Sequence, residues 1–364
     1  MPPRTLLFIS NGHGEDSIAA EIVRRLPPGF AVAAYPTLGD GHAYAGVCPL
    51  VGPRRHLPSQ GQRRRGSFWR DARSGYGIGA ALRFMRTEAP AYDAIVVVGD
   101  LLGIVMCWWS GNRVRLYLDV YKSGFANRYS GLERWIVRRS CDLVLTRDPI
   151  LAAQLETAGV AARFAGNVMM DTLVTGPYDA AGRRAHPRAV ALLPGSRAAT
   201  ADNLALQLAA LRLLPDAAGL DLFAALAPGT DAASLARGTG LVLDGDTLRG
   251  DGLSVHLSTG SLGAVLAASD IVLGQGGTAN LQALGMGKPV ISFLAEDARP
   301  ARRRRIAALA GDSRIVTERT PEALAAALAA LLADPAEIAR RGAIGRERMG
   351  PPGAIAAIIA ELQR

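Results

Sequence analysis

The sequence predicts an α/β fold with two doubly wound domains, and three observations lead to that prediction. The chain has 364 residues, more than a usual single core accommodates. Short apolar runs that suit buried parallel strands alternate with helix-length segments along the chain. Two of these runs, residues 190–193 and 271–273, end in glycine turns. Ligands of open α/β sheets bind beyond the carboxyl ends of strands, so each domain is expected to be Rossmann-like with a site at that edge.

Composition indicates a folded protein without a membrane span. Apolar residues make up 49% of the chain, and the longest apolar stretch, residues 94–109, contains Asp100. A stretch of 16 residues is too short to cross a bilayer, so we expect a strand followed by a buried helix. The chain enters its first strand without a charged leader, and its three cysteines are too scattered for a disulfide framework or a zinc site. We therefore expect a cytoplasmic protein.

Changes in composition along the chain predict the domain boundaries. Residues 1–175 are expected to form the first domain and residues 188–348 the second. Residues 176–187, with glycine, proline and charged side chains, are the predicted linker. Within the second domain a hairpin is expected at residues 241–257, which contain two Asp-Gly turns.

The two glycine turns of the second domain predict a diphosphate site. After residues 271–273, glycines that let backbone N–H groups approach an anion lead into a helix start. After residues 190–193 a glycine is followed by a hydroxyl and a guanidinium, which can bind phosphate bidentately. A tight turn of any α/β domain is the alternative. The candidate residues are Gly195, Ser196, Arg197, Gly274, Gly276, Gly277, Thr278 and Asn280.

These motifs resemble a known enzyme family. The segments LLPGSR (192–197) and GGTANLQALGMGKPVISF (276–293) are similar to the donor half of bacterial lipid A disaccharide synthase and its relatives. Residues 163–171 resemble the family's segment that closes the first domain, and residues 10–16 stand where the family has its first glycine-rich acceptor loop. The resemblance implies a GT-B glycosyltransferase that uses a UDP-sugar, with two domains facing each other across a cleft. It also implies that residues 349–364 form a helix that packs back on the first domain, and that Gln282 stands where the family has a glutamate on the ribose.

The candidate catalytic residues are His13, Asp100 and Asp16. His13 follows the first strand between two glycines, and an imidazole can take the proton of an attacking hydroxyl. Asp100 ends a buried strand, where it can act as a general base or simply cap the next helix. The resembling family has two aspartates three residues apart here, and Gly103 occupies the second position. The resemblance also matches Asp16 to an aspartate of the family's first loop.

The acceptor is expected to lie against two loops of the first domain. The predicted acceptor-binding residues are Asn11, Gly12, Gly14, Tyr121 and Lys122.

The formal net charge of +9 suggests contact with an anionic surface. Arginines cluster at residues 54–55, 63–65 and 302–305, and Phe68 and Trp69 lie among them. Arginine beside aromatic residues suits an anionic membrane face, and a solvated protein surface is the alternative. Nucleic acid is not expected as a partner, because no motif of a nucleic-acid-binding fold accompanies the charge.

We therefore predict a metal-independent, inverting transferase without a cofactor, peripherally associated with the inner membrane. It would move a sugar from a donor similar to UDP-N-acetylglucosamine to a lipid or glycolipid. A nucleotide-sugar 2-epimerase and an inactive sugar-binding relative remain alternatives. A dehydrogenase is not favoured, because the second predicted strand ends at Tyr35-Pro36 without the acid that holds a dinucleotide ribose. Gly287-Lys288 is followed by Pro289, which is not a P-loop.

Overall fold

The computed structural model describes residues 2–54, 78–195, 199–294 and 300–364. The chain divides into two compact units, Met1–Thr172 with Pro352–Arg364, and Leu173–Pro351. Several residues singled out from the sequence lie outside the described residues: Ser196, Arg197, Arg55, Arg63, Arg64, Arg65, Phe68 and Trp69, together with the side chain of Arg302.

The first unit contains a parallel sheet in the order β2-β1-β3-β4-β5-β6. Its apolar strands are largely buried, as the runs in the sequence predict. The strands are β1 (Arg4–Ser10), β2 (Phe30–Pro36), β3 (Ala94–Gly99), β4 (Leu116–Asp119), β5 (Val144–Thr146) and β6 (Ala162–Phe164). The helices are α1 (His13–Arg24), α2 (Ile78–Thr87), α3 (Leu101–Ser110), α4 (Gly131–Ser140), α5 (Pro149–Thr157), α6 (Val168–Asp171) and the C-terminal α14 (Ala354–Leu362).

Helices cover both faces of this sheet. Buried side chains of α2, α3, α4 and α5 form one apolar cluster, and those of α1 and α14 form another with the opposite face of the strands. The start of α14 is held by Asp171, whose carboxylate accepts from the backbone N–H groups of Gly353 (2.8 Å) and Ile355 (3.1 Å). The first unit is therefore doubly wound.

The second unit contains a sheet in the order β14-β13-β12-β7-β8-β11-β10-β9. The strands are β7 (Arg188–Leu193), β8 (Leu220–Leu226), β9 (Val242–Asp244), β10 (Thr247–Gly250), β11 (Leu253–Thr259), β12 (Ile271–Gly274), β13 (Val290–Phe293) and β14 (Arg314–Thr317). The helices are α7 (Thr200–Arg212), α8 (Ala232–Thr239), α9 (Leu262–Ala268), α10 (Gly277–Gly285), α11 (Pro300–Ala310), α12 (Pro321–Ala333) and α13 (Pro335–Met349). Pairing is parallel except at β9-β10-β11, which confirms the predicted hairpin.

The long apolar stretch divides into β3 and α3, as predicted, but α3 is not fully buried. Its inner side packs in the core through Ile104 and Cys107. Trp108 and Trp109, near its end, are exposed. Their apolar character had suggested burial, whereas the 3.6-residue helical period directs them outward. Among the described residues, no helix is both long enough and apolar enough to span a membrane.

Candidate functional site

The two glycine motifs of the second unit lie side by side. Strand β7 pairs with β12 in parallel, and Leu193 stands opposite Gly274 in the register. The N–H of Gln275 donates to the carbonyl of Leu193 at 2.7 Å, just beyond the paired strands. The turn at Gly195, with φ +101°, is therefore next to the turn between β12 and α10, although almost eighty residues separate them. Both turns lie at the carboxyl edge of the sheet, where α/β proteins bind ligands.

Two helices begin at this edge without a side-chain cap. Helix α10 starts after Gly276, which has no side chain to offer, and both Gly277 and Thr278 are exposed. Helix α7, which follows β7, also has no side-chain cap. The first backbone N–H groups of a helix have no intrahelical partner, and the helix dipole favours an anion there. The pair of helix starts can therefore bind the two phosphates of a diphosphate.

Asn280 shapes the turn that precedes α10. It is buried, and its Nδ2 donates to the carbonyl of Gly274 at 3.1 Å. A Cβ atom at position 274 would lie 2.2 Å from Asn280 Oδ1, so this contact requires glycine at 274. Gln282, two residues further along α10, is also buried. The contact of Gln282 with the ribose of the nucleotide stays a prediction.

Two amide side chains of α7 brace the paired turns, and the sequence analysis had not selected them. Asn203 Nδ2 donates to the carbonyl of Pro194 at 2.9 Å, and Gln207 Nε2 donates to the carbonyl of Leu273 at 3.0 Å. Gln207 is fully buried. Residues at positions i and i+4 lie on one face of a helix, so the spacing of Asn203 and Gln207 is the sequence signal that could have indicated their shared role.

We expect Asn203→Ala to weaken about fivefold the binding of the UDP that the resemblance implies, because one hydrogen bond to the Pro194 carbonyl contributes about 1 kcal/mol to holding the turn. Calorimetric titration with UDP measures the change. Arg212→Ala is the control, since Arg212 lies at the opposite end of α7 and donates to the carbonyl of Thr239 on α8. Equal losses in the two variants would assign the effect to the stability of α7.

In the first unit, Asn11 and Asp100 come together at the ends of adjacent strands. Asn11 Nδ2 donates to Asp100 Oδ1 at 2.8 Å, and the N–H of Leu102 donates to the same oxygen at 2.9 Å. Asp100 therefore caps α3, which is the alternative that the sequence left open. His13 is exposed at the first position of α1, and Gly12 before it has φ +118°. Gly14 is also exposed, so both glycines leave the imidazole accessible.

Asp16 lies below this loop, with 1% of its surface exposed. Ser10 Oγ donates to Asp16 Oδ1 at 2.6 Å and lies 2.7 Å from the Tyr44 hydroxyl. Burial raises the pKa of Asp16 to about 6, against the opposing effect of the Ser10 hydrogen bond. The neighbouring Glu15 also has a raised pKa, chiefly because of burial. Asp16 is thus placed to support the loop from inside.

We expect Asp16→Asn to weaken the pH dependence of stability between about pH 4 and pH 6. The folded chain keeps a proton on Asp16 up to about pH 6, whereas the unfolded chain loses it near 3.8. Because the folded state binds more protons in this window, stability falls as pH rises through it. Melting temperatures measured from pH 4 to pH 7 test the slope. Asp202→Asn, at an exposed position of α7, is the control and should leave the slope of melting temperature against pH unchanged. If Asp16→Asn also left this slope unchanged, Asp16 would not be the source of the pH dependence.

The loop after β4 is organised by Asp119, which the sequence analysis had not selected. Its Oδ1 accepts from the N–H groups of Tyr121 and Lys122, each at 2.9 Å, and its Oδ2 accepts from the Tyr129 hydroxyl. Burial raises the pKa of Asp119 to about 6. The Lys122 Nζ contacts both oxygens of Glu133 at 2.7 Å and is buried, whereas Tyr121 is exposed. Of this predicted acceptor pair, Tyr121 is the accessible side chain.

Comparison with known sequences supports the resemblance seen in the motifs. No protein-family model matches the chain. Lipid-A-disaccharide synthase of Pseudomonas savastanoi is 36% identical over 164 residues, which are 43% of this chain and 40% of that protein. The same enzyme of Pseudomonas putida is 35% identical over 161 residues, with the same coverage. This chain is a relative of lipid-A-disaccharide synthase. The similarity spans about 40% of the length of these curated relatives.

Solved structures that are similar to the present chain cover almost its whole length. MurG of Acinetobacter baumannii has a TM-score of 0.59 at 15% identity, with 99% of each chain covered. UDP-GlcNAc 2-epimerase of Neisseria meningitidis has a TM-score of 0.58 at 11% identity, also with 99% of each chain covered. Spinosyn rhamnosyltransferase SpnG bound to thymidine diphosphate has a TM-score of 0.58 at 16% sequence identity, with 99% of this chain and 100% of that chain covered. The predicted GT-B fold with two Rossmann-like domains is thereby confirmed, and the cleft between them stays a prediction.

Proposed function

We propose that this protein is a glycosyltransferase that moves a sugar from a UDP-sugar, of the UDP-N-acetylglucosamine type, to a hydroxyl group of a lipid or glycolipid. The observation that carries the proposal is the pairing of the Gly195 turn with the turn before α10, beside two helix starts without side-chain caps. The similarity to lipid-A-disaccharide synthase supports the choice of donor and acceptor. A lipid acceptor would be met at the cytoplasmic face of the inner membrane.

The second unit would hold the donor. The backbone N–H groups at Gly276, Gly277 and Thr278 would bind the diphosphate, together with Gly195, Ser196 and Arg197. As the bond between the anomeric carbon and the diphosphate oxygen breaks, negative charge develops on the leaving UDP. Helix starts and a guanidinium stabilise such charge without a metal ion. Among the described residues, no three His, Cys, Asp or Glu side chains are grouped to hold a metal ion.

The first unit would supply the base. We assign this role to His13, because its side chain is exposed at the sheet edge while Asp100 Oδ1 already accepts two hydrogen bonds. The acceptor oxygen would bond to the anomeric carbon from the face opposite the leaving UDP, so the configuration would invert. The hydroxyl proton would pass to the imidazole. Asn11, Asp100 and the buried Asp16 would position the loop, and Tyr121 would contact the acceptor.

The test is UDP release from a panel of UDP-sugars, with and without a total lipid extract of the source organism. We expect release that requires both one particular sugar and the lipid, and that continues in the presence of EDTA. Loss of release with EDTA would contradict the metal-independent mechanism. UDP binding without release under any combination would contradict the transferase proposal.

A nucleotide-sugar 2-epimerase is the second candidate, because its structure from Neisseria meningitidis matches this chain about as well as MurG does. Products separate the two activities. An epimerase changes the configuration of the donor sugar without any acceptor, which proton NMR of the UDP-sugar detects. Bound UDP-sugar that remains unchanged in both assays would indicate an inactive relative.

A further inference from the structure

One surface of the first unit combines exposed tryptophans with arginines that have no carboxylate partner among the described residues, one of which, Arg139, stacks over the Trp135 ring at 5.2 Å. Helix α3 contains no charged side chain in its ten residues, although it borders solvent. Four large apolar side chains of α3 and α4 are exposed: Trp108 (39%), Trp109 (57%), Leu132 (68%) and Trp135 (46%). We refer to these four as the tryptophan face. The rings of Trp108 and Trp135 are in edge contact, 5.7 Å apart, so α3 and α4 present one continuous patch.

Basic side chains are carried by the two helices that pack beside α3. Helices α2 and α4 pack on the same side of the sheet as α3 and carry Arg83, Arg86, Arg134, Arg138 and Arg139. The three helices contain a single acidic residue, Glu133, whose oxygens contact Lys122 at 2.7 Å. Within the described parts of the chain, no carboxylate lies within ion-pair distance of Arg134, Arg138 or Arg139. The border is therefore strongly positive.

We propose that the tryptophan face docks on an anionic lipid bilayer. Tryptophan rings prefer the boundary between acyl chains and headgroups, and arginine binds the phosphates of that layer. A protein partner would need a large acidic rim to match the arginines, whereas an anionic bilayer supplies that charge over any area. The inference builds on the proposed lipid acceptor, but docking itself requires neither donor nor acceptor. It adds α2, α3 and α4 to the membrane contact that the sequence predicts at the arginine clusters, which stays a prediction.

Vesicles of phosphatidylglycerol and phosphatidylcholine provide the probe. Three of the chain's four tryptophans lie on this face, so a Trp69→Phe background leaves only those three as reporters. We expect their emission to shift to the blue with anionic vesicles and to be quenched by brominated acyl chains. Trp109→Ala with Leu132→Ala should weaken partitioning at least tenfold. Arg134→Ala with Arg138→Ala should weaken it about thirtyfold at low salt.

The matched control is Leu213→Ala with Arg237→Ala, which removes an exposed leucine and an exposed arginine of the second unit. This control should bind vesicles as the parent does, and circular dichroism verifies that all variants fold. Equal loss in the control, or emission that vesicles do not change, overturns the proposal. A parent dimer that Trp109→Ala dissociates also overturns it, because the face would then join two copies. UDP release with a detergent-dispersed acceptor needs no bilayer, so its outcome reports on the transferase proposal alone.

Discussion

Replacing His13 with alanine is expected to lower turnover by roughly 10²–10⁴-fold, the usual contribution of a general base. The imidazole is exposed at the start of α1, between two glycines that leave it accessible to an acceptor hydroxyl. The KM for the donor should change little, because the proposed diphosphate site is built from the second unit. Initial rates of UDP release at saturating donor and lipid measure the effect.

His42→Ala is the matched control, since His42 is also an exposed histidine of the first unit. It should retain full turnover. Asp100→Asn keeps an oxygen that can accept from Asn11 and Leu102, so we expect a loss of less than about tenfold. The reverse pattern, a small loss in His13→Ala and a large one in Asp100→Asn, would make Asp100 the base.

The sequence predicted the parts of the molecule that depend on local pattern. Apolar runs located the strands other than β14, and two Asp-Gly turns located the hairpin, because both signals are confined to a few neighbouring residues. The glycine turns were also found locally. The two turns are adjacent because β12 pairs with β7 in the sheet. From the sequence, this adjacency could be inferred only from the general rule that ligands of α/β sheets bind at the carboxyl edge of the strands.

Features that depend on long-range contacts were missed. The bracing role of Gln207 needs a carbonyl 66 residues away, and the loop of Asp119 needs the Tyr129 hydroxyl to be folded beneath it. The exposure of Trp109 was also misjudged, because hydrophobic composition does not say which side of a surface helix faces solvent. Because residues 101–110 contain no charged side chain, a helical wheel of this segment does not separate a buried side from an exposed one.

Gly103→Asp is expected to lower the free energy of unfolding by about 3 kcal/mol or more. Gly103 is buried in α3, and a Cβ atom there would lie 2.7 Å from Val97 Cγ1 on β3 and 3.4 Å from Ile9 Cγ2 on β1. The substitution would add both this clash and a carboxylate without a partner. Urea denaturation followed by circular dichroism measures the change.

Gly103→Ala separates the two effects, because it introduces the Cβ without the charge and should cost less. Gly131→Asp is the control: this glycine is exposed at the start of α4, where a Cβ would meet nothing within 4 Å and an acid suits the helix dipole. A Gly103→Asp variant as stable as the parent would show that α3 can move away from the sheet. If the prediction holds, the second aspartate that the family resemblance implies at this position cannot be accommodated in the present packing. In the proposed mechanism the base would then be one of the polar groups already at this edge, of which His13 is the most accessible.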